Sequence, residues 1–340
     1  MSEAIDEAMH QAVERGVFPA ASLLAARGGE ILHHAHYGKA SEGICFDIAS
    51  LTKPVCSAAL TMLLIQEKKL KLSDTLYQWI GGARQPEHKK ITVEHLLNHT
   101  SGLPAWRPYF REIPSRNIGT PEGKRQIIEA CLEEPILRQP GEISEYSDLG
   151  FILLGEILEQ AGNKPLEELF EEKIAGPLDL KNTFFSPLMT HDARRMTLFA
   201  PTEDCPWRDK VIEGEVHDQN AFAMGGVAGH AGLFSTTVDL HQFIKDFLKN
   251  FHRELGTWNL ELGNYILGWD TPTFGSSSSG RYFSPHSIGH LGYTGCSIWI
   301  DLEKDFWVIL LTNRLHPSSA NEKIKSFRPR IHNLICRKLL

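Results

Sequence analysis

Strand patterns stand near both ends of this chain, and a long helical stretch separates them. Residues 20–26 and 31–37 read as two short strands, with Gly28-Gly29 as the hairpin turn between them. Far downstream, HLGYTGCSIWID and FWVILLTN read as two more strands, joined by a turn at 302–305. From Leu70 to about Leu180 the apolar spacing is mostly helical, clearest in LGFILLGEILEQAG, which Gly162 ends. Such a chain closes one antiparallel sheet from its two ends. The expected fold class is α/β of the α+β type: an antiparallel sheet flanked by N- and C-terminal helices, with an all-helical insertion. Residues 1–66 and 225–340 would form the sheet part and 67–224 the mainly helical part, with a site in the cleft between them. Residues 2–15 have one-faced helical spacing (Ile5, Met9, Ala12). Residues 187–224 read as irregular, FGSSSSGRYFSP as a mobile surface loop, and the last twenty residues as a helix interrupted at Pro329.

Composition narrows the function classes. A chain of 340 residues, 42% hydrophobic and 23% charged, can bury a sizeable core. The net charge is −7 and no long basic tract is present, which argues against nucleic acid as a partner. The longest apolar run, 58–65, is broken by Thr61 and falls short of the roughly 20 residues of a membrane helix, so no membrane partner is expected. The opening MSEAIDEAMHQAVERG lacks the basic start and apolar core of a secretory leader, which points to the cytoplasm. Cysteines at 45, 56, 131, 205, 296 and 336 form no C-x-x-C pair and read as reduced, buried small residues.

Sixteen histidines raise the question of a metal. Alternation puts His34 and His36 on one face of the second strand, with His33 on the other. No H-E-x-x-H or similar ligand spacing occurs, so hydrogen-bonded or surface histidine is the reading, and neither a metal nor an organic cofactor is expected. GGVAGHAG lacks the Gly-Lys-Ser/Thr ending of a phosphate loop.

The chemistry-bearing residues begin with Ser50-Leu51-Thr52-Lys53. Pro54 fits only the first turn of a helix, where its missing N–H costs nothing, so a helix starts near Ser50 and runs to about Gln66. Residues i and i+3 share a helix face, so the Lys53 amine can reach the Ser50 hydroxyl and take its proton. The helix start also offers backbone N–H groups to a developing oxyanion. Tyr146-Ser147-Asp148 opens the apolar helix and supplies a second proton carrier or a helix cap. His290-Leu291-Gly292, followed by Tyr293, begins a strand whose glycine lets backbone approach a substrate.

The order S-x-x-K, Y-x-[ND], [KH]-x-G resembles the serine β-lactamase and penicillin-binding-protein superfamily. DIASLTK, ITVEHLLNHTSGLP, YSDLGFILLGEIL and GHLGYTGCSIWID are similar to its class C β-lactamase-like branch, which includes esterases and D-amino-acid peptidases. The likeness runs from about Ala20 to His316. It implies that Ser50 is acylated and that Lys53 and Tyr146 share the proton work. It also implies that the N–H groups of Ser50 and Tyr293 form an oxyanion hole, and that Asp148, His290 and Gly292 line the substrate face, with His217 and His230 bordering the cleft. The implied partner is a small ester, amide or peptide. D-alanyl-D-alanine carboxypeptidase and β-lactamase are the alternatives within the enzymes, and a non-catalytic penicillin-recognising sensor or assembly protein the alternative outside them.

Three positions depart from that pattern. Asp148 replaces asparagine, so a carboxylate beside Lys53 would raise its pKa and leave Tyr146, as phenolate, the more available base. His290 replaces lysine and Leu291 replaces a hydroxyl residue. Both changes weaken recognition of an anion, so poor β-lactam turnover and a preference for neutral esters or amides are expected.

Overall fold

The computed structural model describes residues 3–81, 86–186, 198–255, 264–273 and 275–340. Helix α1 (Glu3–Glu14) buries Ile5, Met9 and Ala12. Strands β1 (Ala20–Arg27) and β2 (Glu30–Gly38) follow as a hairpin, and β3 (Phe46–Asp47) leads directly to Ser50. Ala49–Leu51 form a 3₁₀ turn, Lys53–Ala58 a π turn, and α2 (Ala59–Gln66) continues the helix. The 49–66 stretch, apolar enough by composition to cross a membrane, is 78% buried inside the fold.

The central stretch carries α3 (Leu76–Ile80), α4 (Val93–Leu97), α5 (Pro121–Glu133), α6 (Asp148–Gly162) and α7 (Leu166–Phe170). Leu153, Leu154, Ile157 and Leu158 of α6 are fully buried in the main core. Then come β4 (Phe184–Phe185), a small hairpin of β5 (Asp204–Cys205) and β6 (Lys210–Val211), helix α8 (Gln219–Ala223), β7 (Leu233–Ser235) and α9 (Thr237–Leu255). Residues 187–197, part of the segment expected to be irregular, lie outside the described residues. The chain ends with β8 (Tyr265–Ile266), β9 (Trp269–Asp270), β10 (Ser287–Leu291), β11 (Ser297–Asp301), β12 (Phe306–Thr312) and α10 (Ile324–Leu339).

The main sheet has the order β2-β1-β12-β11-β10-β9-β8, antiparallel throughout. Its first and last long strands pair from Ala21↔Thr312 to Arg27↔Phe306, which joins the two ends of the chain. Helices α1 and α10 cover one face, and α2, α6 and α9 belong to the core on the other. Burial on both faces explains why β12, FWVILLT, is apolar along its length instead of alternating. A second small sheet, β3-β7-β4, braces the chain just before Ser50.

Three expectations need correction. HLGYTGCSIWID is two strands, because 292–296 reverses the chain between β10 and β11. Gly292 N–H donates to the Cys296 carbonyl (2.8 Å), and Gly295 has φ +101°, where a Cβ would meet Thr312 Oγ1 at 2.2 Å. His290 therefore stands near the end of a strand, not at its beginning. Pro329 lies inside a continuous α10: one lost hydrogen bond is outweighed by the buried face of Phe327, Ile331 and Ile335. The serine-rich loop is tied down, since Ser278 Oγ accepts from Trp299 Nε1 (3.1 Å) and Asn333 Oδ1 accepts from Arg281 N–H (2.7 Å). The short strands β8 and β9, at one end of the sheet, leave no period-2 pattern.

Leu154→Ala removes a fully buried side chain from the helix that supports the site. Urea unfolding of the variant should show a loss of about 2–5 kcal/mol.

Candidate active site

Local geometry sets Ser50 in place. Ala49 has φ +48°, an uncommon left-handed conformation for a residue with a Cβ. The buried Asp47 carboxylate holds it there: Oδ1 accepts Ala49 N–H (2.8 Å) and Oδ2 accepts His217 N–H (2.7 Å). The Thr52 hydroxyl donates to the Ala49 carbonyl (2.6 Å) and closes the turn. The π turn that follows is a wider helical form often found at functional sites.

Lys53, with no exposed surface, gathers the site. Its Nζ lies 3.1 Å from Ser50 Oγ, 2.5 Å from Tyr146 Oη, 2.6 Å from Asp148 Oδ1 and 3.3 Å from the His230 carbonyl. Ser147 explains how Tyr146 and Asp148 both reach it. The Ser147 hydroxyl caps α6 by accepting Gly150 N–H (3.2 Å), and its neighbours project toward Lys53. The cap and the site are thus one construction. His99 fixes the tyrosine: its ring stacks on Tyr146 with centroids 4.6 Å apart, and its Nδ1 accepts Ser147 N–H (3.0 Å).

Burial reverses the expected electrostatics. Desolvation lowers the Lys53 pKa, and the Asp148 carboxylate only opposes that fall. Tyr146 is pushed well above the ordinary phenol value by burial and by Asp148. The phenolate is therefore disfavoured and the neutral amine favoured, contrary to the sequence expectation.

The opposite wall comes from the β10–β11 turn. Leu291, Gly292 and Tyr293 line the same pocket as Ser50, Tyr146 and Asp148, a cavity of about 870 Å³. Neither Ser50 N–H nor Tyr293 N–H donates to an acceptor among the described residues. His290, expected on the substrate face, is buried instead. Nδ1 bonds the Leu291 carbonyl (2.9 Å), and the ring stands behind Tyr146 with centroids 6.0 Å apart. Burial drives its pKa down to about 3, so it carries no charge at neutral pH.

Of the two histidines expected at the cleft, His217 lines the pocket and pairs with Glu203 (Nε2···Oε2 2.8 Å). His230 is sealed below it, paired with Asp218 (2.9 Å). Asp47, His99, Glu203 and Asp218 were not singled out from the sequence. Asp47 and His99 lie in the quoted motifs DIASLTK and ITVEHLLNHTSGLP, whereas no motif quoted for the resemblance holds Glu203 or Asp218. Among the described residues no group of three or more His, Cys, Asp or Glu side chains could hold a metal.

Residues 5–327 match the model of the beta-lactamase family. The chain belongs to the beta-lactamase family. This family member is 30% identical, over 93% of its own length and 83% of the relative's, to a protein of Escherichia coli K12 named "Putative D-alanyl-D-alanine carboxypeptidase". Among solved structures it resembles the octameric penicillin-binding protein homologue of Pyrococcus abyssi (TM-score 0.75, 19% identity, 99% of this chain and 77% of that one). It also resembles EstCE1, a hydrolase with promiscuous acyltransferase activity (TM-score 0.72, 21% identity, 96% of this chain and 98% of that one). Those two structures bear on the fold, and the family on the chemistry: this beta-lactamase family protein is a serine hydrolase.

Asp148→Asn removes the charge that favours the Lys53 ammonium, so the neutral amine forms at lower pH. The acid limb of the kcat/KM profile for an ester should move to lower pH, and an unmoved limb would exclude Lys53 as the group titrating there.

Proposed function

We propose that this family member hydrolyses small neutral esters or amides through an acyl-enzyme on Ser50. The observation that carries the reading is the buried Lys53 Nζ, within 3.1 Å of Ser50 Oγ and 2.5 Å of Tyr146 Oη, at the edge of an open pocket. Ser50 Oγ attacks the carbonyl while Lys53, as neutral amine, takes its proton. Tyr146, held neutral, relays that proton to the leaving group. The N–H groups of Ser50 and Tyr293 receive the oxyanion. Water then releases the acid, and no metal or organic cofactor enters the scheme.

Substrate preference follows from what faces the pocket. His290 is uncharged and buried, and Leu291 offers no hydrogen bond. Trp106, Phe110 and Trp207 supply an apolar wall. These features support neutral, partly apolar substrates and slow turnover of β-lactams. The cleft lies between a sheet part (1–66 and 225–340) and a mainly helical part (67–224) in this reading. The thiols of Cys56, Cys131, Cys205, Cys296 and Cys336 are buried and form no disulfide among the described residues, which supports a reducing compartment, the cytoplasm. The carboxypeptidase reading is the second one, favoured by the name of the 30% identical relative.

A fluorophosphonate probe should label the wild-type protein and fail on Ser50→Ala, with ester turnover falling on the order of 10⁴-fold or more. A fluorescent penicillin should label weakly. Strong penicillin labelling with release of D-alanine from a D-Ala-D-Ala peptide would select the carboxypeptidase reading, and absence of both labels would reduce the protein to a scaffold.

A further inference from the structure

The S-x-x-K machinery leaves one question of chemistry open. After acylation, a water molecule must lose a proton as it attacks the ester carbon. Lys53 Nζ is fully buried and already within hydrogen-bonding distance of four oxygens, so it is poorly placed to meet water arriving from the open pocket. A second proton acceptor in the same pocket, sharing none of those contacts, would answer the need.

His217 has that position. Its ring lines the cavity with Ser50 and stands beside the Tyr293 ring, centroids 5.8 Å apart. Its backbone N–H is anchored on Asp47 Oδ2 (2.7 Å), three residues before the nucleophile. Glu203 orients the imidazole: Nε2 lies 2.8 Å from Oε2, while Oε1 accepts Ser319 N–H (3.2 Å). These two bonds hold the Glu203 carboxyl down to about 2, so it is ionised and can only accept. In the neutral imidazole Nε2 therefore carries the proton and Nδ1 the lone pair. That nitrogen has no partner among the described residues. The neighbouring pair, His230 with Asp218, cannot serve in the same way. His230 is absent from the pocket lining, which includes His217, and it reaches Lys53 through its carbonyl.

We propose that His217, oriented by Glu203, is the general base that activates water against the Ser50 acyl-enzyme. The proposal rests on the serine-hydrolase reading and extends it to the second half-reaction. Water gives a proton to Nδ1 as its oxygen bonds to the acyl carbon. The tetrahedral intermediate then breaks its bond to Ser50 Oγ, which takes a proton from the Lys53–Tyr146 pair. His217 returns its proton to solvent, and the Lys53–Tyr146 pair is refilled from solvent. The net change is one water added: hydrogen on Oγ, hydroxyl on the released acid.

Burst kinetics with a p-nitrophenyl ester test this on the intact protein. His217→Gln should keep the burst, and with it acylation, while the steady-state rate falls about 10²–10⁴-fold. Mass spectrometry should then find the acyl group accumulated on Ser50. Glu203→Gln should shift the same step in the same direction by less. Hydroxylamine, a nucleophile that needs little base assistance, should restore much of the lost turnover in His217→Gln. Burst and steady state falling together, or accumulated acyl-enzyme that hydroxylamine does not release, would overturn the proposal. So would unchanged deacylation in a variant that keeps wild-type thermal stability and fluorophosphonate labelling. A wild-type protein with neither burst nor label fails at the earlier reading instead.

Discussion

A lysine nitrogen sealed from water holds the active site together. Isolated, a charged amine in such a place would lose several kcal/mol of hydration, so it must be surrounded by acceptors or give up its proton. The protein does part of each. Ser50, Tyr146, Asp148 and the His230 carbonyl surround Nζ, and burial pulls its pKa down. Three separate stretches of chain thereby meet at one atom: the turn after β3, the start of α6 and the loop before β7. Any displacement of these stretches would leave Nζ short of partners, so the stability of the fold and the readiness of the nucleophile draw on the same contacts.

The second half of the site is held through backbone carbonyls, by side-chain donors that include two arginines. Thr294 Oγ1 donates to the Asp47 carbonyl (2.7 Å), while the Asp47 side chain holds Ala49. Arg314 Nε donates to the Tyr293 carbonyl (3.0 Å), and Arg328 Nη2 to the Gly295 carbonyl (2.8 Å). With its carbonyls drawn toward the arginines, the β10–β11 turn stays rigid, and Asp47 links it to the residue before Ser50. Preorganised N–H donors of this kind need no rearrangement as charge develops on a substrate oxygen.

Much of this was legible in the sequence, for local reasons. Pro54 marked the helix start, and i to i+3 spacing brought Lys53 to Ser50. Strand signals at both ends predicted a sheet closed by its termini, because unpaired apolar strands must find partners. The misjudgements also have causes. A twelve-residue apolar run with two glycines hid a chain reversal, since the positive φ of Gly295 leaves no periodic trace. Pro329 suggested a break that packing overrode. The effect of Asp148 on Lys53 was read from charge alone, without the desolvation that only a three-dimensional environment supplies.

The amino-acid sequence by itself determined which chemical groups this protein commands and in what order they come: a hydroxyl and an amine one helical turn apart, a phenol at a helix start, a glycine where backbone can approach a substrate. Those are short-range properties, set by backbone geometry over a few residues. Only the tertiary structure decided which groups are wet and which are dry. It set His290 behind Tyr146 and His217 in the pocket wall, and it joined Glu203 to a histidine fourteen residues away. Burial depends on what the rest of the chain packs against, and in this site burial sets the charge state on which the chemistry turns.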